Sequence, residues 1–337
     1  MYQTLLSVLK YLFLLGIGAL FLYLAFKGQD TDKLLADLLT ADYRWVLASS
    51  AACLLSHVFR AMRWNMLIRP LDHQPKLRNT FAAVMIGYLA NLALPRLGEV
   101  SKCAALSKAE NIPANQLIGT MLVERIFDFL MLLLVTALTL IVEYERIASF
   151  VYSIAFQQVN GSTEKLSAYA LGFLLMFAAL FGIWILIRKG KAAIPKKIVN
   201  FWNGVKNGLL SVKDIKSKKT FVFYSVMIWV LYLMSTYLCF FGLSATAHLT
   251  IGAALSTLFF GSIGMTLPVQ GGIGTYHYMV AQGLTAYAIN RTDGLAYATI
   301  IHSSQTLVIL VIGSISLISL MLFAKKFRYA KVRDIKE

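Results

Sequence analysis

Apolar residues run along this chain in long blocks, with the polar residues gathered between them. Six blocks are long enough for a helix to cross a bilayer: Leu5–Phe26, Arg44–Met66, Gln116–Val142, Leu166–Ile187, Thr220–Gly242 and Gly294–Phe323. Two further apolar stretches, Asn79–Glu110 and Thr250–Asn290, are interrupted near their middles. The interruptions read Leu94-Pro95-Arg96-Leu97-Gly98 and Leu267-Pro268-Val269-Gln270-Gly271. Proline lacks the N–H and glycine lacks a steric bias, so the pair breaks a helix. Broken backbone at membrane depth is tolerated only inside protein or beside a water-filled cavity. The pattern predicts an all-α polytopic membrane protein: about six full spans plus two broken, re-entrant helical hairpins in one integral membrane domain over residues 1–337.

Composition agrees with this. A hydrophobic share of 58% and a mean hydropathy of +0.68 exclude an ordinary soluble domain. The block Leu5–Phe26 is too long for a signal-peptide core and has no small-residue cleavage site, so it is expected to remain as a span. The three cysteines, Cys53, Cys103 and Cys239, are isolated in apolar surroundings and read as packing residues.

The net charge of +16 follows topology rather than nucleic acid, because Lys and Arg flank the spans. Lys27–Asp42, with Asp30, Asp32, Asp37 and Asp42, reads as external. Arg69, Lys76 and Arg78 read as internal. Glu143, Glu145 and Glu164 mark an external loop. The basic run from Arg188 to Lys219 marks an internal one, and Lys325–Lys336 puts the C-terminus inside. The sides alternate if each broken hairpin returns to the face it entered from. Residues 44–142 and 220–323 then form an inverted repeat, whose hairpin tips meet near the bilayer midplane. Both termini are expected on the cytoplasmic side of a bacterial-type inner membrane. Residues 194–219 place Ile198, Phe201, Trp202, Val205, Leu209, Val212 and Ile215 at helical spacing among lysines. That pattern fits an amphipathic basic helix, lying on the inner leaflet or packed on the protein.

Three groups of residues are candidates for binding. Ionisable side chains inside a bilayer are costly and point to function. At the first break lie Asn91, Arg96, Gly98, Glu99 and Lys102, where the start of a half-helix would offer free N–H groups to an anion. On the third span Glu124 and Asp128 share a helical face beside Arg125, with Arg96, Lys102 or Arg125 as counter-charges. At the second break Gln270, Gly271, Gly272, Gly274, Thr275 and His277 allow close backbone approach. Lesser candidates are His57, Arg60 and Arg63, where the arginines are expected to snorkel to the inner surface, and His302 with Gln305. The chain has no metal-ligand spacing, no Walker lysine and no nucleophile elbow, so no metal and no cofactor are expected.

These motifs resemble a known family. Pro95-Arg96-Leu97-Gly98-Glu99 with Lys102, then Glu124-Arg125 with Asp128, then Pro268-Val269-Gln270-Gly271-Gly272-Ile273-Gly274, are similar to the flippase-like membrane domain of lysylphosphatidylglycerol synthases. Stand-alone relatives of that domain look most alike, and the resemblance covers nearly the whole chain. It implies movement of an anionic or modified phospholipid, or of a lipid-linked head group, between leaflets. Lys102 replaces the family's usual arginine, and Thr275-Tyr276-His277 occupies the place where a glutamate often follows the glycines. The head-group preference is therefore open. No aminoacyl-transfer domain is expected after Glu337, so a translocator rather than an enzyme is expected. The rivals are an intramembrane enzyme using Glu124 and Asp128 as acid and base, and a non-catalytic partner that delivers lipid to a separate synthase.

Overall fold

The computed structural model describes residues 16–148, 203–208 and 210–334, with side chains through Leu322. The described residues are helical, without strands. The helices are α1 Gly16–Phe26, α2 Thr31–Thr40, α3 Tyr43–Ile68, α4 Leu77–Ala93, α5 Leu97–Glu110 and α6 Ala114–Val142. They continue as α7 Lys218–Phe240, α8 Ile251–Thr266, α9 Thr275–Leu284 and α10 Arg291–Asp334. Four are long and apolar enough to cross a membrane: α3 with its extension to Leu71, α6, α7, and α10 as far as Leu322.

The expected spans thus appear in part. Leu5–Phe26 is described only from Gly16, and Leu166–Ile187 lies outside the described residues. The last helix starts before Gly294, at Arg291, and passes Phe323 to reach Asp334. Within 194–219, residues 203–208 are helical, and Ser211–Asp214 forms a 3-10 turn. Ile215 is extended, and α7 has already begun at Lys218. Most described apolar positions of this stretch turn toward the protein, while Leu210 is exposed. Val205 and Ile215 are buried, and a Cβ at Gly119 of α6 would lie 2.3 Å from the Val205 carbonyl oxygen.

Both broken hairpins are present. Leu94 is extended, as a residue before proline must be, and Arg96 is left-handed at φ 63°. The chain therefore turns sharply between α4 and α5. The two arms pack so closely that a Cβ on Gly98 would lie 2.2 Å from the Gly87 carbonyl oxygen. In the second hairpin Leu267 is extended before Pro268, and Gly271, Gly272 and Gly274 all take positive φ.

Two apolar clusters hold the bundle. One joins Trp64, Leu67, Ile68, Leu106, Leu117 and Phe221, and the other joins Phe240, Ala254, Val280, Leu284, Leu295 and Tyr297. Helices α3 and α7 run antiparallel. The Asp42 N–H donates to the Gly242 carbonyl at 2.9 Å, Ser49 Oγ donates to the Ser235 carbonyl at 2.7 Å, and Arg63 Nη1 reaches Ser225 Oγ at 3.4 Å. Each contact further along α3 meets an earlier residue of α7. All three cysteines are buried.

Candidate functional site

Helix α6 carries the acidic centre. Its 29 residues make it roughly 43 Å long at about 1.5 Å per residue, and Asp128 sits at its midpoint. Asp128 is gripped from α3 by two arginines. Arg60 Nη1 donates to Oδ2 at 2.6 Å, and Arg63 Nη2 donates to Oδ1 at 2.6 Å. Glu124, one turn earlier and fully buried, receives the Lys102 ammonium. It also lies 3.6 Å from Arg63 and 3.9 Å from Arg60. Arg125 joins at 3.5 Å from Asp128 and 3.9 Å from Glu99.

This geometry corrects two expectations. Arg60 and Arg63 do not snorkel: Arg63 is fully buried and Arg60 is 5% exposed, and their charge is neutralised inside the bundle. Arg96 supplies no counter-charge to the network. The left-handed turn beside Pro95 leaves it exposed, outside the cleft described below.

Aromatic rings complete the setting. Lys102 Nζ lies 4.4 Å from the centre of the Trp64 ring, and Trp64 Nε1 donates to Thr120 Oγ1 at 2.9 Å. His57 packs on Tyr88 with ring centres 4.4 Å apart, and Arg60 Nη2 reaches the Tyr232 hydroxyl at 3.3 Å.

Above this network a cleft of about 40 Å³ opens at the first break. Arg60, Tyr88, Asn91, Glu99, Lys102 and Arg125 line it, with Val84, Gly87 and Gly98. The cleft has room for roughly three waters at about 10–15 Å³ each. Six of the residues singled out from sequence thus meet there: Asn91, Gly98, Glu99, Lys102 and Arg125, with Arg60 from the lesser candidates. Glu124 and Asp128 hold the cations that face it. A free N–H is expected from sequence at the start of this half-helix, but the Gly98 N–H donates to Asn91 Oδ1 at 2.7 Å. Asn91 therefore ties the end of α4 to the start of α5.

The second-break residues line no part of this cleft. Thr275 Oγ1 donates to the Gly264 carbonyl at 2.8 Å, and the Gly274 N–H donates to His277 Nδ1 at 3.3 Å. His302 Nε2 contacts the Gly271 carbonyl at 2.8 Å and stacks on Tyr276. Thr275, His277 and His302 thus fasten the break internally. The two breaks still touch: a Cβ on Gly271 would lie 2.8 Å from Leu92 Cδ2. Leu92 follows Asn91, which lines the cleft, while Gln270 and Gly272 flank Gly271 in its 3-10 turn.

Residues 8–313 match the family model for the lysylphosphatidylglycerol synthase TM region. The chain belongs to that family. The lysylphosphatidylglycerol synthase membrane family is a domain associated with lipid handling, and its match covers both breaks and the whole ion-pair network. A UPF0104 membrane protein of Methanocaldococcus jannaschii is 28% identical over 153 residues, which is 44% of this chain and 43% of that relative. The chain thus matches less than half the length of the curated relative. No solved structure matches the chain.

Sequence reasoning set Arg60 and Arg63 among the lesser candidates and missed Tyr88 and Trp64. The signal was present in part. His57, Arg60 and Arg63 recur three apart on α3, and such a row lies along one side of the helix.

Proposed function

We propose that this protein moves an anionic or modified phospholipid, or a lipid-linked head group, between the leaflets of a bacterial-type inner membrane. Contact between the two breaks, Gly271 against Leu92, carries this reading, because it puts a second irregular segment beside the cation-lined cleft. The head-group phosphate would rest against Arg60, Lys102 and Arg125, with the Asn91 amide as a neutral partner. The acyl chains would stay in lipid.

The antiparallel pairing of α3 with α7 supports an inverted relation between residues 44–142 and 220–323, since the first helices of two inverted halves run in opposite directions. Rocking of one half on the other would then expose the cleft to each side in turn, with both termini cytoplasmic. The acid–base enzyme reading gains little support, because cations occupy Glu124 and Asp128 and neither is held ready for a substrate proton. A partner synthase would act upstream or downstream of the translocator.

The test is exchange of fluorescent phospholipids between leaflets of proteoliposomes that hold the full chain. Protein-dependent exchange of an anionic lipid is expected. Absence of exchange across phosphatidylglycerol, cardiolipin and lipid-linked phosphates would overturn the reading.

A further inference from the structure

We infer that Glu99 is the proton-carrying group of the cleft: the protein takes up one proton with each singly charged anionic head group it binds. This rests on the translocation reading and specifies how the same site is loaded.

The three carboxylates of the network are held very differently. Asp128 takes hydrogen bonds from two arginines at 2.6 Å and has a third at 3.5 Å. Glu124 is fully buried and takes the Lys102 ammonium, with two arginines within 3.9 Å. Glu99 has one ion pair, to Arg125 at 3.9 Å, which is beyond hydrogen-bonding distance. Its Oε2 is buried without a hydrogen-bond partner among the described residues, yet the side chain is 26% exposed and lines the cleft. It is the member of the three that a proton can reach without breaking a tight pair.

The groups that share the cleft with Glu99 come from each element around it. They are Arg60 from α3, Tyr88 and Asn91 from α4, Lys102 from its own helix and Arg125 from α6. Helix α10 also packs on α5, and it has no ionisable residue between His302 and Lys325.

Counting charge shows what a proton would do. Arg60, Arg63, Lys102 and Arg125 face Glu99, Glu124 and Asp128, so the network carries one net positive charge when every member is ionised. Lys102 enters this sum as an ammonium, in contact with Glu124 and the Trp64 ring face. Protonating Glu99 raises the network to two positive charges, and binding a phosphodiester monoanion returns it to one. The empty deprotonated state and the loaded protonated state then carry the same charge into any conformational change. A bound anion and an ionised Glu99 carboxylate would repel one another across the cleft. By linkage, binding therefore tightens as pH falls.

Calorimetry of the purified full chain in detergent tests this with dihexanoyl phosphatidylglycerol, whose phosphodiester does not titrate near neutrality. Titrations in two buffers of different protonation enthalpy report the protons taken up. Close to one proton per ligand is expected, with affinity falling by up to about tenfold for each pH unit over which that proton is taken up. Glu99→Asp should keep the uptake. Glu99→Gln should abolish it and make binding independent of pH. No uptake by the parent protein, or undiminished uptake by Glu99→Gln, would overturn the inference. Proton-linked binding without leaflet exchange would uphold it while removing translocation, and no binding at all by the parent would overturn the inference while leaving translocation to the exchange assay.

Discussion

Arg63, without any exposed surface, donates to Asp128 Oδ1 at 2.6 Å from a different helix. Such a pair adds little over an apolar core of the same shape, but losing one partner leaves a buried charge uncompensated. Asp128→Ala would leave Arg60 and Arg63 sharing the more distant Glu124, which Lys102 already occupies, and is expected to cost about 3–5 kcal/mol of stability. Thermal unfolding of the detergent-solubilised variant would register this. A melting curve equal to the parent's would mean that Glu124 alone neutralises both arginines.

Arg125 takes the opposite role. Its side chain is 45% exposed, its ion pairs are loose, and it lines the cleft. Exposed pairs of this kind contribute about 0–1 kcal/mol. Arg125→Gln should therefore melt close to the parent. Its affinity for an anionic head group should fall by roughly tenfold or more, in line with the roughly 1.5–3 kcal/mol of a charged hydrogen bond. Binding of dihexanoyl phosphatidylglycerol checks the second half of this expectation.

Gly271 couples the breaks through shape. Its φ of +56° disfavours any side chain, and a Cβ there would overlap Leu92. Gly271→Ala should cost about 1–3 kcal/mol from strain and overlap together. Adding Leu92→Ala should recover the steric part alone. A double-mutant cycle on melting temperature and exchange rate separates the two.

Asn91 acts as a cap supplied from the preceding helix, accepting the Gly98 N–H. Asn91→Ala should loosen the first turn of α5 by about 1 kcal/mol, the ordinary worth of such a cap. Hydrogen exchange at Gly98–Ser101 is the direct measurement. Unchanged protection there would show that the tight packing of Gly87 on Gly98 holds the turn without help.

Much of the architecture was legible in the chain. Proline and glycine break helices by residue type alone, so both hairpins fell where the sequence put them. The acidic pair Glu124 and Asp128 was legible because four residues return a helix to the same face. Its partners were harder to assign. Arg60 and Arg63 lie far from α6 in sequence, and nothing in their spacing tells an inward face from a face that reaches the membrane surface. Arg96 misled for the converse reason. It adjoins the break in sequence, but a left-handed residue after proline sends its side chain out of the cleft. The partner of His302 was hidden too, since it is a backbone carbonyl that only the second break frees.

Cys53, Cys103 and Cys239 all lie within the packed interior. A water-soluble maleimide should therefore leave the native chain unlabelled. A cysteine introduced at an exposed position of the first break, such as Ala93 or Arg96, becomes a reporter on the natural background. Alkylation rates at that position, with and without lipid, would follow the opening and closing of the break in real time.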